Sequence, residues 1–414
     1  MVDDRVEETA RIVVVGAGQA GFSVCAKLRE LGHPGPITLI GNESHPPYQR
    51  PPLSKGYLLG ETTEERLYLR PLNFYEERGI DLKLSTDVQR IDRSAHEIML
   101  SDGLRLGYER LVLATGARPR RLPAQMGGDL DGVCYVRNLA DINSMSHRFR
   151  NGQQVLVVGG GYIGLEAAAV SAKLGLNVTL IEATPRILQR VASPETSNYF
   201  RALHAGHGVK LIEGVGLKIL RGDNGRIKVA ELADGSVVPV DFVIVGIGVH
   251  PNVELAEQAG LEVDNGIAVD VHCRTSDPAI LAAGDCASFP WRAERIRLES
   301  VGNAIDQAEA VARTIMGLSS GYQAKPWFWS DQFDVKLQIA GLSSGYDSIV
   351  TRAGASNGIS FWYYLGDQLL AVDAMNDPRV YMVAKRLIEA GQSPVADLVA
   401  NFATDLKSLL GAKN

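Results

Sequence analysis

Two stretches of this chain share one construction. Arg11 to Gly21 reads RIVVVGAGQAG, and Val155 to Gly164 reads VLVVGGGYIG. In each, a short apolar run enters a turn with glycines at its first, third and sixth positions. These are Gly16, Gly18 and Gly21, then Gly159, Gly161 and Gly164. The first is followed by apolar residues at helical spacing (Phe22, Val24, Leu28, Leu31) and by a second strand pattern, Ile37 to Ile40. The second is followed by Val178 to Ile181, which runs into Glu182. Strand, glycine turn, helix and strand is the context in which this spacing binds a dinucleotide. The first glycine permits the tight turn, the second admits a pyrophosphate to the backbone, and the third lets helix and strand pack closely. Phosphates then meet the free N–H groups at the helix start. One such pattern is weak evidence, because ordinary α/β turns also use glycine. Two in full context predict two dinucleotide sites.

The repeat extends beyond the glycines. Asp102-Gly103 stands fourteen positions before Gly116, and Asp234-Gly235 stands fourteen before Gly248. Each pair marks a hairpin turn ahead of a buried strand ending in glycine, Leu111 to Gly116 and Asp241 to Gly248. The chain therefore reads as a duplicated dinucleotide-binding unit. A third apolar run, Ala279 to Asp285 (AILAAGD), has no fingerprint of its own, and a helix pattern follows over 303–316. Beyond about Lys325 the character changes. Trp327-Phe328-Trp329 leads into strand patterns at 336–340, 359–365 and 368–372, and helices are expected over 380–389 and 395–410. This part reads as a separate α+β domain.

A length of 414 residues accommodates several cores, and a net charge of −6 excludes a nucleic-acid binder held by overall charge. The acidic, polar start reads as neither a signal nor a transit peptide, and no apolar run is long enough to span a bilayer. The expectation is a soluble cytoplasmic protein. The four cysteines, Cys25, Cys134, Cys273 and Cys286, form no C-x-x-C or C-x-x-x-x-C pair, which argues against a redox dithiol, a cysteine-ligated cluster or a zinc site. Lys55 follows Arg50-Pro51-Pro52-Leu53-Ser54 in what reads as a short helix. It is either a solvated cation or one held near an electron-rich ring.

The two fingerprints, Ala114-Thr115-Gly116-Ala117-Arg118-Pro119, and Gly284-Asp285 resemble the FAD-dependent pyridine nucleotide-disulfide reductase superfamily. Within it, Arg50 to Lys55, Gly161 to Glu166 and Trp327 to Gln332 (WFWSDQ) resemble the oxygenase-coupled, NADH-dependent ferredoxin reductases. The resemblance implies an α/β fold of two Rossmann-like domains of glutathione-reductase type plus a C-terminal α+β domain. FAD would occupy residues 1–118 with 247–325, NAD(H) residues 119–246, and the C-terminal domain residues 326–414. FAD contacts would fall on Gly16, Ala17, Gly18, Gly21, Asn42 or Glu43, Arg50, Lys55 and Val88. Further contacts would fall on Ala114, Thr115, Gly116, Arg137, Gly284, Asp285 and Val301. The NAD(H) contacts would fall on Gly159, Gly161, Ile163, Gly164, Glu166, Glu182, Arg190 and Gly248. No metal site is implied.

The implied activity passes hydride from NADH to FAD and then single electrons to a 2Fe-2S ferredoxin, which feeds a haem monooxygenase or a ring-hydroxylating dioxygenase. A flavin suits this place because it exchanges electrons both in pairs and singly. Rubredoxin reduction, another NADH-dependent outlet, or a flavin-binding signalling role are the alternatives. The chain is expected to be a monomer or a weak dimer, without nucleic-acid or membrane partners. By resemblance Glu166 binds the nicotinamide carboxamide and Lys55 pairs with it. An acid early in a helix also favours the helix dipole. Glu182 accepts the adenosine ribose hydroxyls and repels a 2′-phosphate, so NADH is expected over NADPH, with Arg186 and Arg190 nearby as opposing features. Trp329 either lines the electron exit or is an interface aromatic. Arg292, Arg295, Arg297, Lys325 and Lys336 are scattered charges that could form a docking patch.

Overall fold

The computed structural model describes residues 9–354 and 357–410. The chain divides into two compact units. Among the described residues, the first comprises 9–49, 64–118 and 250–326, and the second 50–63, 119–249, 327–354 and 357–410.

The first unit is built on a five-stranded parallel sheet. Its spatial order is Ile280–Ala282, Arg110–Leu113, Ile12–Val15, Ile37–Ile40 and Ile80–Lys83. All four residues of Ile12–Val15 are buried, as are all four of Ile37–Ile40. These near-continuous Val/Ile/Leu runs suit strands covered on both faces. The helices Gln19–Glu30 and Val301–Ile315 bury their apolar sides in one core with the sheet, including Val24, Leu28, Val311 and Ile315. Full burial of each such side chain contributes roughly 1.5–3 kcal/mol. Asp102-Gly103 turns the chain between Glu97–Leu100 and Arg105–Gly107, the hairpin of a three-stranded antiparallel layer that begins at Val88–Asp92.

The second unit repeats the plan. Its parallel sheet runs Lys210–Glu213, Asn177–Glu182, Gln154–Val158, Phe242–Val245 and Val133–Cys134. An antiparallel layer follows, Leu217–Asp223, Arg226–Leu232 and Val237–Pro239. The last edge strand differs in origin. In the first unit it comes from far downstream, at Ile280–Ala282, whereas in the second it precedes the fingerprint, at Val133–Cys134.

The C-terminal residues form a five-stranded antiparallel sheet in the order Trp327–Gln332, Val335–Gly341, Gln368–Met375, Ile359–Leu365 and Ser348–Ala353. This sheet does not stand apart from the second nucleotide fold. Leu337, Phe361, Tyr363 and Met375 share one core with Leu165, Leu180 and Phe200. The other face of the sheet packs on the helix Pro378–Glu389 through Trp362, Val372, Val380 and Leu387.

The helix expected over 395–410 is broken. A short helix, Ala396–Ala400, is followed by a 3-10 turn, Leu406–Leu410. The buried guanidinium of Arg352 is the cause. It donates to the carbonyls of Val399, Asn401, Phe402 and Thr404, groups that a continuous helix would use internally. The segment around Lys55 is also shorter than expected: a 3-10 turn spans Pro51–Ser54, and Lys55 lies just past its end.

Candidate functional site

The two glycine turns have the same construction. A Cβ on Gly16 would lie 2.1 Å from the Ala114 carbonyl oxygen, and one on Gly159 2.4 Å from that of Gly246. A Cβ on Gly21 would lie 1.9 Å from the Gly16 oxygen, and one on Gly164 2.0 Å from the Gly159 oxygen. The middle glycines differ: nothing lies within 4 Å of a Cβ on Gly18 or Gly161. Both are helix N-caps that provide no side-chain hydrogen bond to the first turn. Such a cradle, closed behind and open in front, fits a pyrophosphate. The fit is met twice, once in each unit.

In the first unit, the structure brings Gly284 to the first fingerprint helix. Its Cβ position lies 3.0 Å from the Ala20 Cβ, and its N–H donates to the buried Gln307. Asp285 follows, with its carbonyl accepting from Arg297. Thr115 and Gly116 are held by Asn252, which accepts from the Thr115 hydroxyl at 2.7 Å and donates back to its carbonyl at 2.8 Å. Asn252 carries no motif and was not legible in the sequence. Ala114 is buried, Ala17 packs against Gly41, and Val301 opens its helix behind the Ser300 cap. Asn42 is exposed, whereas Glu43 is half-buried and accepts from Tyr48 at 2.5 Å. Val88 starts its strand half-buried. Arg295 and Arg297, considered for docking, donate to backbone carbonyls of their own unit, at Val269 and Ser288 and at Asn265.

In the second unit, Arg50 donates to the Arg137 carbonyl at 2.9 Å. Glu182 ends its strand with one oxygen accepting from the Gly160 N–H at 2.7 Å, and the other from the Thr184 N–H and hydroxyl, both at 2.8 Å. Arg186 is tied to Ser193, Ser197 and Gln189. Arg190 is exposed, with a guanidinium nitrogen 3.7 Å from a Cβ placed on Gly248. Ile163 is exposed at the helix start.

Glu166 lies in the second turn of the helix Tyr162–Lys173 and is only 2 % exposed, which is not the position of a solvated first-turn acid. Lys55 Nζ approaches its Oε1 at 2.9 Å. Ser54 donates to Oε2 at 2.7 Å, and Ser330 donates to Oε1 at 2.7 Å. A carboxylate so held has its desolvation offset by three donors. Trp329, next to Ser330, is half-buried and stacks on Trp327 with ring centroids 5.5 Å apart. The two serines lie within the Arg50–Lys55 and Trp327–Gln332 stretches, but no short-range pattern shows that both reach Glu166.

Cys286 lies in hydrogen-bond contact with Thr115 and donates to the Leu113 and Ala283 carbonyls, and Cys273 contacts Gln307. Burial raises Cys25 to about 12 and Cys134 to about 11, and it also raises Cys273 and Cys286. Among the described residues no group of His, Cys, Asp and Glu could hold a metal ion, and no helix is long and apolar enough to cross a membrane.

Residues 10–308 match the pyridine nucleotide-disulphide oxidoreductase family model, and residues 327–410 match the reductase C-terminal model. The chain belongs to the pyridine nucleotide-disulphide oxidoreductase family. It is 43% identical over 399 residues to rhodocoxin reductase of Rhodococcus erythropolis, covering 96% of this chain and 93% of that one. It is 40% identical to a rubredoxin-NAD(+) reductase of Pseudomonas putida, covering 89% and 96%. Among solved structures, it matches one described as the covalent putidaredoxin reductase-putidaredoxin complex with a TM-score of 0.94 and 40% identity, covering 97% of this chain and 98% of that one. The family fold is thus present over nearly the whole chain, as an α/β architecture of two nucleotide folds and a C-terminal sheet.

Proposed function

We propose that this chain is an NADH-dependent ferredoxin reductase carrying FAD. One observation supports this most: two matching glycine cradles stand in a chain whose four thiols form no disulfide, three of them buried. A member of this family without a dithiol must release its electrons directly, and a small redox protein fits that need. FAD, when bound, supplies the conversion of one hydride into two single electrons. Its site is the first fingerprint with Asp285, in residues 1–118 and 247–325. NADH occupies residues 119–246, and the C-terminal domain is residues 326–414.

The chain's own residues do the rest. Gly18 and Gly161 leave room for pyrophosphates. Glu182 faces the adenosine ribose. Glu166 accepts from the nicotinamide carboxamide, with Lys55 holding its charge, so that the nicotinamide ring is oriented for transfer. Trp329 lines the exit toward the acceptor. The partner is a 2Fe-2S ferredoxin that serves a monooxygenase or dioxygenase, and the enzyme works in the cytoplasm. Rubredoxin is the second reading for the acceptor, supported by the similarity to a rubredoxin-NAD(+) reductase.

Anaerobic titration tests the reading. The purified protein should be yellow, and its flavin bands should bleach with one equivalent of NADH. Steady-state turnover should then be faster with a 2Fe-2S ferredoxin than with rubredoxin. A protein that takes up no flavin on reconstitution would refute the proposal.

A further inference from the structure

The hydrogen bonds reaching Glu166 do not stop at Ser330. Gln332 Nε2 donates to the Ser330 hydroxyl at 3.1 Å, and Gln332 Oε1 is 2.8 Å from His204 Nε2. Ser330, Gln332 and His204 are all fully buried. The direction of every bond follows from chemistry. A glutamine oxygen only accepts, so His204 Nε2 must carry a proton. The glutamine NH2 only donates, so the Ser330 oxygen accepts from it. The single proton of Ser330 is then left for Glu166, at 2.7 Å. Three successive donors point one way and end on the carboxylate.

The chain is held at both ends. His204 sits in the last turn of the helix Pro194–Gly206, and burial lowers its basicity to about 4, so it is the neutral Nε2–H tautomer at neutral pH. Its Nδ1 has no partner among the described residues. At the other end, Glu166 has about four lone-pair sites. Ser54, Lys55 and Ser330 take three of them, which leaves one for a further N–H. Strand alternation places Ser330 and Gln332 on the same face of Trp327–Gln332 as Phe328, which packs on Tyr162 of the fingerprint helix at 4.8 Å.

We propose that Ser330, aimed by Gln332 and His204, is a positioning residue that keeps one lone pair of Glu166 directed at the nicotinamide carboxamide. The proposal rests on the reading that Glu166 receives that group. Without Ser330's proton, Oε1 is left with Lys55 alone, a point charge that sets no direction for the remaining lone pair. With a carboxylate in place of Gln332, the Ser330 proton would be drawn away from Glu166. Lys55 and Ser54 anchor Glu166 from the Pro51–Ser54 side, so the relay governs orientation rather than retention of the side chain.

The test compares two ligands on the FAD-loaded protein by calorimetry. NAD+ carries the nicotinamide, and ADP-ribose does not. Ser330→Ala and Gln332→Glu should each weaken NAD+ about 10-fold, the loss of one hydrogen bond to a charged group, and leave ADP-ribose unchanged. Ser330→Thr keeps a hydroxyl and should restore NAD+ binding. Glu166→Gln serves as the reference. A selective NAD+ loss in Glu166→Gln but not in Ser330→Ala or Gln332→Glu would overturn the relay and leave the Glu166 reading standing. An unchanged NAD+ to ADP-ribose ratio in Glu166→Gln would overturn that reading and the relay with it. Equal weakening of both ligands in Ser330→Ala would mark a structural role and also overturn the proposal. If Gln332→Glu does not fold, Ser330→Ala and Ser330→Thr carry the comparison.

Discussion

Thr184 holds Glu182 through both its backbone N–H and its hydroxyl, each 2.8 Å from the same carboxylate oxygen. The carboxylate is therefore presented in one orientation at the end of its strand. Arg186, the nearby cation that could have favoured a 2′-phosphate, has its guanidinium engaged by Ser193, Ser197 and Gln189. A phosphate placed beside Glu182 would meet like charge with no mobile arginine at Arg186 to offset it. NADH should exceed NADPH in kcat/KM by on the order of 100-fold, a cost of a few kcal/mol for an unfavourable charge contact. Thr184→Val removes only the hydroxyl bond and leaves the two backbone N–H groups on Glu182, so it should narrow the gap only slightly. Equal kcat/KM values for the two nucleotides in the wild type would remove the assignment.

Glycine substitutions should separate folding from binding. Gly21→Ala and Gly164→Ala place a methyl about 2 Å from a backbone oxygen and should destabilise the protein by roughly 1–3 kcal/mol or more. Gly18→Ala and Gly161→Ala meet open space and should fold normally. The first should bind FAD poorly, and the second should raise the KM for NADH. Thermal melting with flavin content, followed by kinetics, checks all four. A Gly18→Ala protein with full flavin content and unaltered FAD affinity would contradict the assignment of the first cradle.

Two buried groups in the second unit should titrate in opposite senses. Asp373 accepts from Tyr363 and Thr196, and burial raises it from 3.8 to about 6. The folded state thus holds its proton more tightly. Its stabilising contribution is complete below 3.8 and is lost as pH rises through about 6. Burial lowers His204 from 6.5 to about 4, so its contribution is complete above 6.5 and is lost as pH falls through about 4. Each amounts to about 3 kcal/mol, and between pH 4 and 6 they largely cancel. Asp373→Asn should leave a protein that loses stability on acidification across this window. His204→Asn should leave one that gains it. Urea midpoints measured at several pH values decide the matter, and variants that both follow the wild-type profile would exclude the pairing.

Arg352 should be a hinge pin for the C-terminal turn. Replacing it with methionine removes donors to four carbonyls, and the loss should be about 3 kcal/mol. Limited proteolysis should then cut between Asn401 and Asp405 well before the rest of the chain. Unchanged proteolytic resistance would show that the apolar contacts of Val399 and Leu409 suffice.

Much of the fold was legible because it is local. The strands at 12–15, 37–40 and 359–365 lie where the apolar runs end, and the glycine spacing alone specifies both turns. The C-terminal break was not legible, because its cause is Arg352, far away in sequence and on another strand. The site divides in the same way. Gly16 to Gly21 and Gly159 to Gly164 declare themselves, and the approach of Lys55 to Glu166 was expected only by resemblance. Ser54, Ser330, Gln332, His204, Asn252 and Thr184 were missed. The first four act across 112 and 164 positions or through a helix on another part of the chain. Polar residues of these types carry no periodic signal. Alternation within WFWSDQ was the one available clue, since it places Ser330 and Gln332 on a common face.

The strand Trp327–Gln332 therefore obeys a parity rule. Its even-numbered residues, Phe328, Ser330 and Gln332, serve the nucleotide helix, and its odd-numbered Trp327 and Trp329 stack together on the other side. Loss or gain of a single codon here would exchange the two sets along the rest of the strand, putting indoles where the hydroxyl and amide belong. A change of two codons would keep the faces but carry the hydroxyl about 7 Å along the strand, away from Glu166. Both parity and register are therefore fixed at this point of the gene.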